Sequence, residues 1–136
     1  VPLTHRDHAH GVVFVTGHAK PGDDGTDWAA LATTAKEAKL TLVIYMGVSG
    51  VEHIAGGLLA GLPTSTPVAI VQHASLPHQR EAFCTLGDLA RTVREQGMSS
   101  PAVMVVGDVT AGVAQLARSQ QEAVSGTAFA GVRHAA

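Results

Sequence analysis

Eight histidines in 136 residues are the first chemical feature of this chain. Imidazole is the side chain that ligates metals and moves protons near neutral pH. His5, His8 and His10 lie close together, and a strand would turn His8 and His10 to one face. No Cys pair accompanies them and no His-Glu-x-x-His stretch occurs, so a metal centre is not expected. Solvent-exposed or hydrogen-bonded imidazoles are the simpler reading. His53 follows Glu52 on a helix-like stretch, and His73 and His78 bracket a loop that a ligand or partner can reach. His18 closes Thr16-Gly17-His18 after an apolar run. It either completes a tight turn that needs glycine or faces a cleft at a strand end, and residue type leaves both open.

Tyr45-Met46-Gly47 closes a second apolar run. The polarizable sulfur of Met46 suits packing on a flat ligand, and Gly47 lets backbone come close. Ordinary core filling by Met46 is the alternative. Ala74 and Ala102 carry no chemistry of their own; small residues there leave room for a ring or offer it backbone groups. Cys84 sits in an apolar setting and reads as a packing thiol. No Gly-x-Ser-x-Gly elbow is present. No phosphate loop is present either: Gly56-Gly57 falls within a helical pattern, and Gly22-Asp23-Asp24-Gly25 lacks a following Lys-Ser/Thr. Asp23 and Asp24 read as a solvated loop. No residue is therefore assigned a catalytic role.

The elements that must position these residues follow from hydrophobic periodicity. Strands are predicted near 12–16, 40–46, 67–71 and 102–106, with Gln79 to Leu86 as an extended segment at a sheet edge. Leu40 to Met46 is apolar throughout, which predicts burial on both faces. Helices are predicted near 28–36, 51–61 and 86–96. Asp27 is the cap of the first, and Trp28, Leu31, Ala32 and Ala35 share its apolar face. Ser49 with Glu52 reads as a capping box, Thr85 with Asp88 opens the third helix, and Gly97 ends it. Lys20 to Thr26 is a turn-rich loop. The alternation predicts a three-layer α/β sandwich. Residues 113–136 read as a tail, partly helical over 113–124 or disordered, after a domain spanning 1–112.

Composition narrows the function classes. The hydrophobic fraction of 46% supports a real core, and aromatics at 4% leave it to Ala, Val, Leu and Ile. A net charge of -2 without clustered Lys and Arg gives no nucleic-acid footprint. No apolar run has the length of a membrane span. Arg6, Asp7 and several histidines interrupt any signal-peptide pattern, and Cys84 alone cannot form an internal disulfide. A reduced, cytoplasmic setting is expected. The start at Val1-Pro2-Leu3 reads as the inside of a longer protein.

Eight stretches occur in the order and spacing of a known family: Pro2 to Arg6, Val15 to His18, Asp27-Trp28, Thr41 to Gly47, Thr66 to Val71, Gln79-Arg80, Thr85-Leu86 and Ser100 to Ala102. Over about residues 1 to 112 the chain resembles the C-terminal lobe of the uroporphyrinogen-III C-methyltransferases, in the tetrapyrrole methylase family. The resemblance implies the C-terminal lobe of the tetrapyrrole methylase fold, with S-adenosylmethionine as methyl donor held between two lobes. It implies uroporphyrinogen III as substrate, precorrin-2 as product, and a place before sirohaem and cobalamin. It also implies an N-terminal lobe, absent here, with a Gly-rich loop and the proton-handling residues, and a homodimer in the full-length enzyme. This piece alone is expected to be inactive. By resemblance, Met46 matches the methionine that touches the cofactor. Ala74 stands at a small residue beside the adenine, where Ala74-Ser75 replaces the usual Gly-Thr. Ala102, after Pro101, matches a further adenosine contact, and the resemblance implies that Met46, Ala74 and Ala102, each following or opening a strand pointing the same way, face one crevice. Thr4, His5 and Arg6 belong to a segment near the substrate cleft, and His18 lies at its floor. Two other readings remain: a non-enzymatic α/β interaction module derived from such a lobe, and a lobe of another precorrin methyltransferase.

Overall fold

The computed structural model describes residues 3–18, 25–111, 119–120 and 122–123. Three strand–helix–strand passages account for most of it. Strand β1 (Gly11–Thr16) leads through helix α1 (Trp28–Ala38) to β2 (Leu40–Tyr45). A 3₁₀ turn, Val48–Gly50, runs straight into α2 (Val51–Leu58), which returns the chain to β3 (Pro67–Gln72). Strand β4 (Arg80–Thr85) passes through a second 3₁₀ turn, Leu86–Asp88, into α3 (Leu89–Gln96) and then β5 (Ala102–Val106).

The five strands form one sheet in the order β1-β2-β5-β3-β4. Strands β1 and β2 are parallel, whereas β5 is antiparallel to both its neighbours and β4 is antiparallel to β3. The expectation that all these strands point one way is therefore corrected. The reversal arises at one place, the β3–β4 hairpin. Each helical crossover preserves direction, so β5 inherits the reversed sense from β4. As a consequence the carboxyl ends of β1, β2 and β3 share an edge of the sheet with the amino ends of β4 and β5. Ala102 opens its strand, and only the reversal brings it to the edge where Met46 closes β2.

One face of the sheet presents Leu42, Ile44, Val68, Ile70, Met104 and Val106 to the helices. Trp28, Ala32 and Ala35 of α1, Val51, Ile54 and Leu58 of α2, and Leu89 and Val93 of α3 cover it. The expected α/β fold is the one observed, and α1, α2 and α3 share this layer. Val43 is also buried, on the opposite face, so β2 is covered on both sides as expected until Tyr45 emerges at its end.

Local chemistry explains the helix ends. Asp27 caps α1 by accepting the Ala30 N–H at 3.0 Å. Gly97, at φ 62, closes α3 in the left-handed conformation as its position predicted. The Ser49–Glu52 capping box does not form: Ser49 lies inside the 3₁₀ turn, Gly50 takes the cap position, and no side chain caps α2. Glu52 instead accepts from Arg94 Nη1 at 2.7 Å, linking α2 to α3. Thr85 likewise gives no backbone cap, and its Oγ1 lies 3.4 Å from Asp88 Oδ2. Helix α2 ends at Leu58, short of the predicted 61. Most of the helix and tail expected over 113–136 lies outside the described residues.

Candidate functional site

Two glycines set the geometry of the shared edge. Gly17 N–H donates to Tyr45 O at 2.6 Å. A Cβ on Gly17 would stand 2.5 Å from Gly47 Cα, and one on Gly47 would stand 2.5 Å from Met104 Cε. The loops leaving β1 and β2 thus lie back to back, with no room for a side chain between them. That close approach brings His18 and Met46 to the same hollow. Gly17 serves close packing here, a role not legible in Thr16-Gly17-His18, while His18 stays exposed with its N–H on Thr16 Oγ1 at 3.2 Å.

The hollow is a cleft of about 570 Å³. His18, Tyr45, Met46 and Ser49 line it from the β1–β2 side, and Val71, Ser100, Pro101, Ala102 and Val103 from the β3–β5 side. Met46 is 56% exposed and holds φ 55, a left-handed conformation unusual for a side chain this large. It is not core filler. His73 and Ser75 also have positive φ, at 54 and 67, so among the described residues three of the four non-glycine positions with this strain gather at one edge. Strain of that kind concentrates where a ligand must be met.

Ala74 opens onto an adjoining groove of about 330 Å³, which shares Tyr45, Val71 and Val103 with the cleft. The three residues expected in one crevice thus occupy two connected hollows. Ala74 rides on the β3–β4 loop, which is firmly tied down. His73 N–H donates to Pro101 O at 3.0 Å, and Ser75 N–H to Gln79 Oε1 at 2.7 Å. Gln79 Nε2 reaches Glu81 Oε1 at 2.7 Å, and the His73 and His78 rings lie 4.2 Å apart.

His5 and Arg6 do not join His18, and they line neither hollow. They precede β1, whose amino end lies across the sheet from the cleft, and the neighbouring Asp7 and His8 line a hollow with Lys39 and Leu40 at the start of β2. His5 is engaged locally: its backbone pairs with Ala9 and its Nδ1 accepts the Asp7 N–H at 3.1 Å. The His10 N–H donates to Lys39 O, which anchors this turn at the start of β2. Sequence position before a strand already implied that placement. Tyr45, Ser49, Val71, Ser100 and Val103 also line the cleft, although none was expected there. Tyr45 was legible as a polar aromatic at a strand end; the others carry no sequence signal. No group of three or more His, Cys, Asp or Glu placed to hold a metal occurs among the described residues. Burial pushes the Cys84 thiol up in pKa, with the Asp88 charge adding and a hydrogen bond with Thr92 opposing.

The family of Tetrapyrrole (Corrin/Porphyrin) Methylases matches residues 1–90. This chain belongs to that family. Siroheme synthase from Nitrosomonas eutropha is 43% identical over 110 residues, covering 80% of this chain and 22% of that protein. Siroheme synthase from Azotobacter vinelandii is also 43% identical over 110 residues, covering 80% of this chain and 23% of the relative. The chain spans under a quarter of the length of these curated relatives. Uroporphyrin-III C-methyl transferase from Thermus thermophilus, in complex with S-adenyl homocysteine, superposes with a TM-score of 0.67 at 34% identity, over 80% of this chain and 47% of that one. Cobalt precorrin-4 methyltransferase shares the fold, with a TM-score of 0.65 at 22% identity. Among the described residues no helix is long and apolar enough to cross a membrane.

Proposed function

We propose that this chain is one lobe of an S-adenosylmethionine-dependent C-methyltransferase that converts uroporphyrinogen III to precorrin-2, and that Met46 and Ala102 belong to its cofactor site. The observation that carries this reading is the cleft at the shared sheet edge. There an exposed, left-handed Met46 faces Ala102 across a hollow of about 570 Å³. The walls suit an adenosine. Val71, Pro101, Ala102 and Val103 offer a low apolar surface without long side chains, and the Met46 thioether offers a polarizable contact for a ring. When bound, the cofactor supplies a methyl group already activated on a sulfonium.

The chain's own residues then bind and orient. Gly17 and Gly47 let the cleft floor come close, Ala74 keeps the adjoining groove open, and His18 at the rim presents an imidazole to an acidic substrate. Positioning and exclusion of water carry the rate of such a transfer. One lobe leaves the cleft open on a side, so the whole enzyme needs its second lobe, and the full-length protein is read as a homodimer. The reading as a non-enzymatic module differs in one respect: it requires no cofactor binding.

The test uses the full-length polypeptide. It should bind S-adenosylhomocysteine by calorimetry and transfer labelled methyl from S-adenosylmethionine to uroporphyrinogen III, while residues 1–136 alone should not turn over. Failure of the full-length protein to bind S-adenosylhomocysteine would refute the proposal. Binding with methylation of a different precorrin alone would leave the cofactor site standing and overturn the substrate.

A further inference from the structure

Gln72 is an amide where the fold calls for an apolar residue. It ends β3 on the helix-facing side, in line with Val68 and Ile70, and is only 5% exposed. Its Oε1 has no hydrogen-bond partner among the described residues. Leaving such an atom buried is costly, and a hydrocarbon of similar size would avoid the cost. What the amide does make is specific. Its Nε2 donates to Ser99 Oγ at 3.2 Å, a residue 27 positions away, and lies 3.3 Å from His73 Nε2. Ser99 is the start of the segment that continues as Ser100, Pro101 and Ala102, the β5 side of the cleft.

We infer that Gln72 is a positioning residue whose amide, through Ser99, holds the adjoining Ser100–Ala102 wall of the cleft in register, an inference that rests on the cofactor reading above. Three contacts tie the end of β3 to this wall. Gln72 pairs with Ala102 in the sheet, His73 N–H donates to Pro101 O at 3.0 Å, and Gln72 Nε2 reaches Ser99 Oγ. The first two are backbone contacts that any sequence can make. The third is the only one of the three that depends on a side chain, and it fixes Ser99, the residue that leads into the wall, beyond the last backbone tie. Its buried, unpaired oxygen is the structural cost of that arrangement. The His73 ring, packed on His78 at 4.2 Å, backs the amide from the loop side.

The test compares Gln72→Leu, Ser99→Ala and the double variant in the full-length protein, with S-adenosylhomocysteine as the probe. Each single change should weaken binding about three- to tenfold, the worth of one hydrogen bond. The double variant should bind no more weakly than the worse single, because both remove the same contact. The melting temperature of Gln72→Leu should stay within about 2 °C of wild type or rise, since the orphaned oxygen goes with the amide. In turnover, the KM for the methyl donor should rise while kcat holds. A merely structural role predicts affinity and melting temperature falling together. Ser99 is exposed, so its variant folds whatever happens at Gln72. Wild-type binding with both single variants unchanged, or losses that multiply in the double variant, overturn this inference alone. Absence of wild-type binding overturns the cofactor reading and this inference with it.

Discussion

Substituting Gly17 by alanine tests the geometry on which the cleft depends. The added methyl would lie 2.5 Å from Gly47 Cα, 2.9 Å from Ile54 Cδ1 and 3.1 Å from Gly47 N. Two of the three atoms are backbone and cannot rotate away. Relief requires the β1 and β2 loops to part by roughly 1 Å, at the expense of the hydrogen bond from Gly17 N–H to Tyr45 O. Forcing a methyl into packed backbone costs about 1–3 kcal/mol. At about 4 °C per kcal/mol for a domain of this size, the melting temperature should fall by about 4–12 °C. Cofactor affinity should fall as well, because His18 and Met46 are carried on the loops that separate. Gly56→Ala is the matched control. Its added methyl meets nothing within 4 Å, and the residue lies inside α2. There alanine should stabilise by about 0.5–1 kcal/mol, its advantage over glycine in a helix. Calorimetric or fluorescence melts of both variants decide the matter. A Gly17→Ala protein that melts with wild type, while Gly56→Ala gains stability, would show that the loops are not pressed together as described.

Three further outcomes follow from single side chains. Met46→Ala should weaken S-adenosylhomocysteine binding by about 1 kcal/mol, the scale of a sulfur–ring contact, and leave the urea midpoint nearly unchanged because Met46 is largely exposed; unchanged affinity by calorimetry would remove Met46 from the site. Gly57→Ala, one residue from the stabilising Gly56→Ala, should destabilise by about 1–3 kcal/mol, since its methyl would collide with Trp28 Cβ where α2 crosses α1; equal melts for the two alanine variants would disprove that crossing. Cys84 has its thiol pKa raised mainly by burial, so its protonated form favours the fold. That contribution is present at neutral pH and is lost as pH rises through the raised value. The stability difference between wild type and Cys84→Ala should therefore shrink in alkaline urea titrations, and a pH-independent difference would contradict the burial.

The sequence by itself determined the elements and the family. Periodicity over 28–36, 51–61 and 86–96 and the apolar runs at 12–16, 40–46, 67–71 and 102–106 each correspond to a helix or strand, because burial of one face is written locally in residue spacing. Asp27 and Gly97 were legible as caps for the same reason: a cap is satisfied by atoms a few residues away. The family resemblance pointed to Met46, Ala74 and Ala102 together, and Met46 and Ala102 line one cleft. Tertiary structure alone decided the direction of β5, which depends on the single reversal at the β3–β4 hairpin. It also parted Ala74 from the main cleft, and it left His5 and Arg6 at the far edge of the sheet. The back-to-back contact of Gly17 and Gly47 joins residues about thirty positions apart, as does the Gln72 amide on Ser99. No local pattern encodes such contacts, because they exist only once the sheet has brought the loops to a common edge.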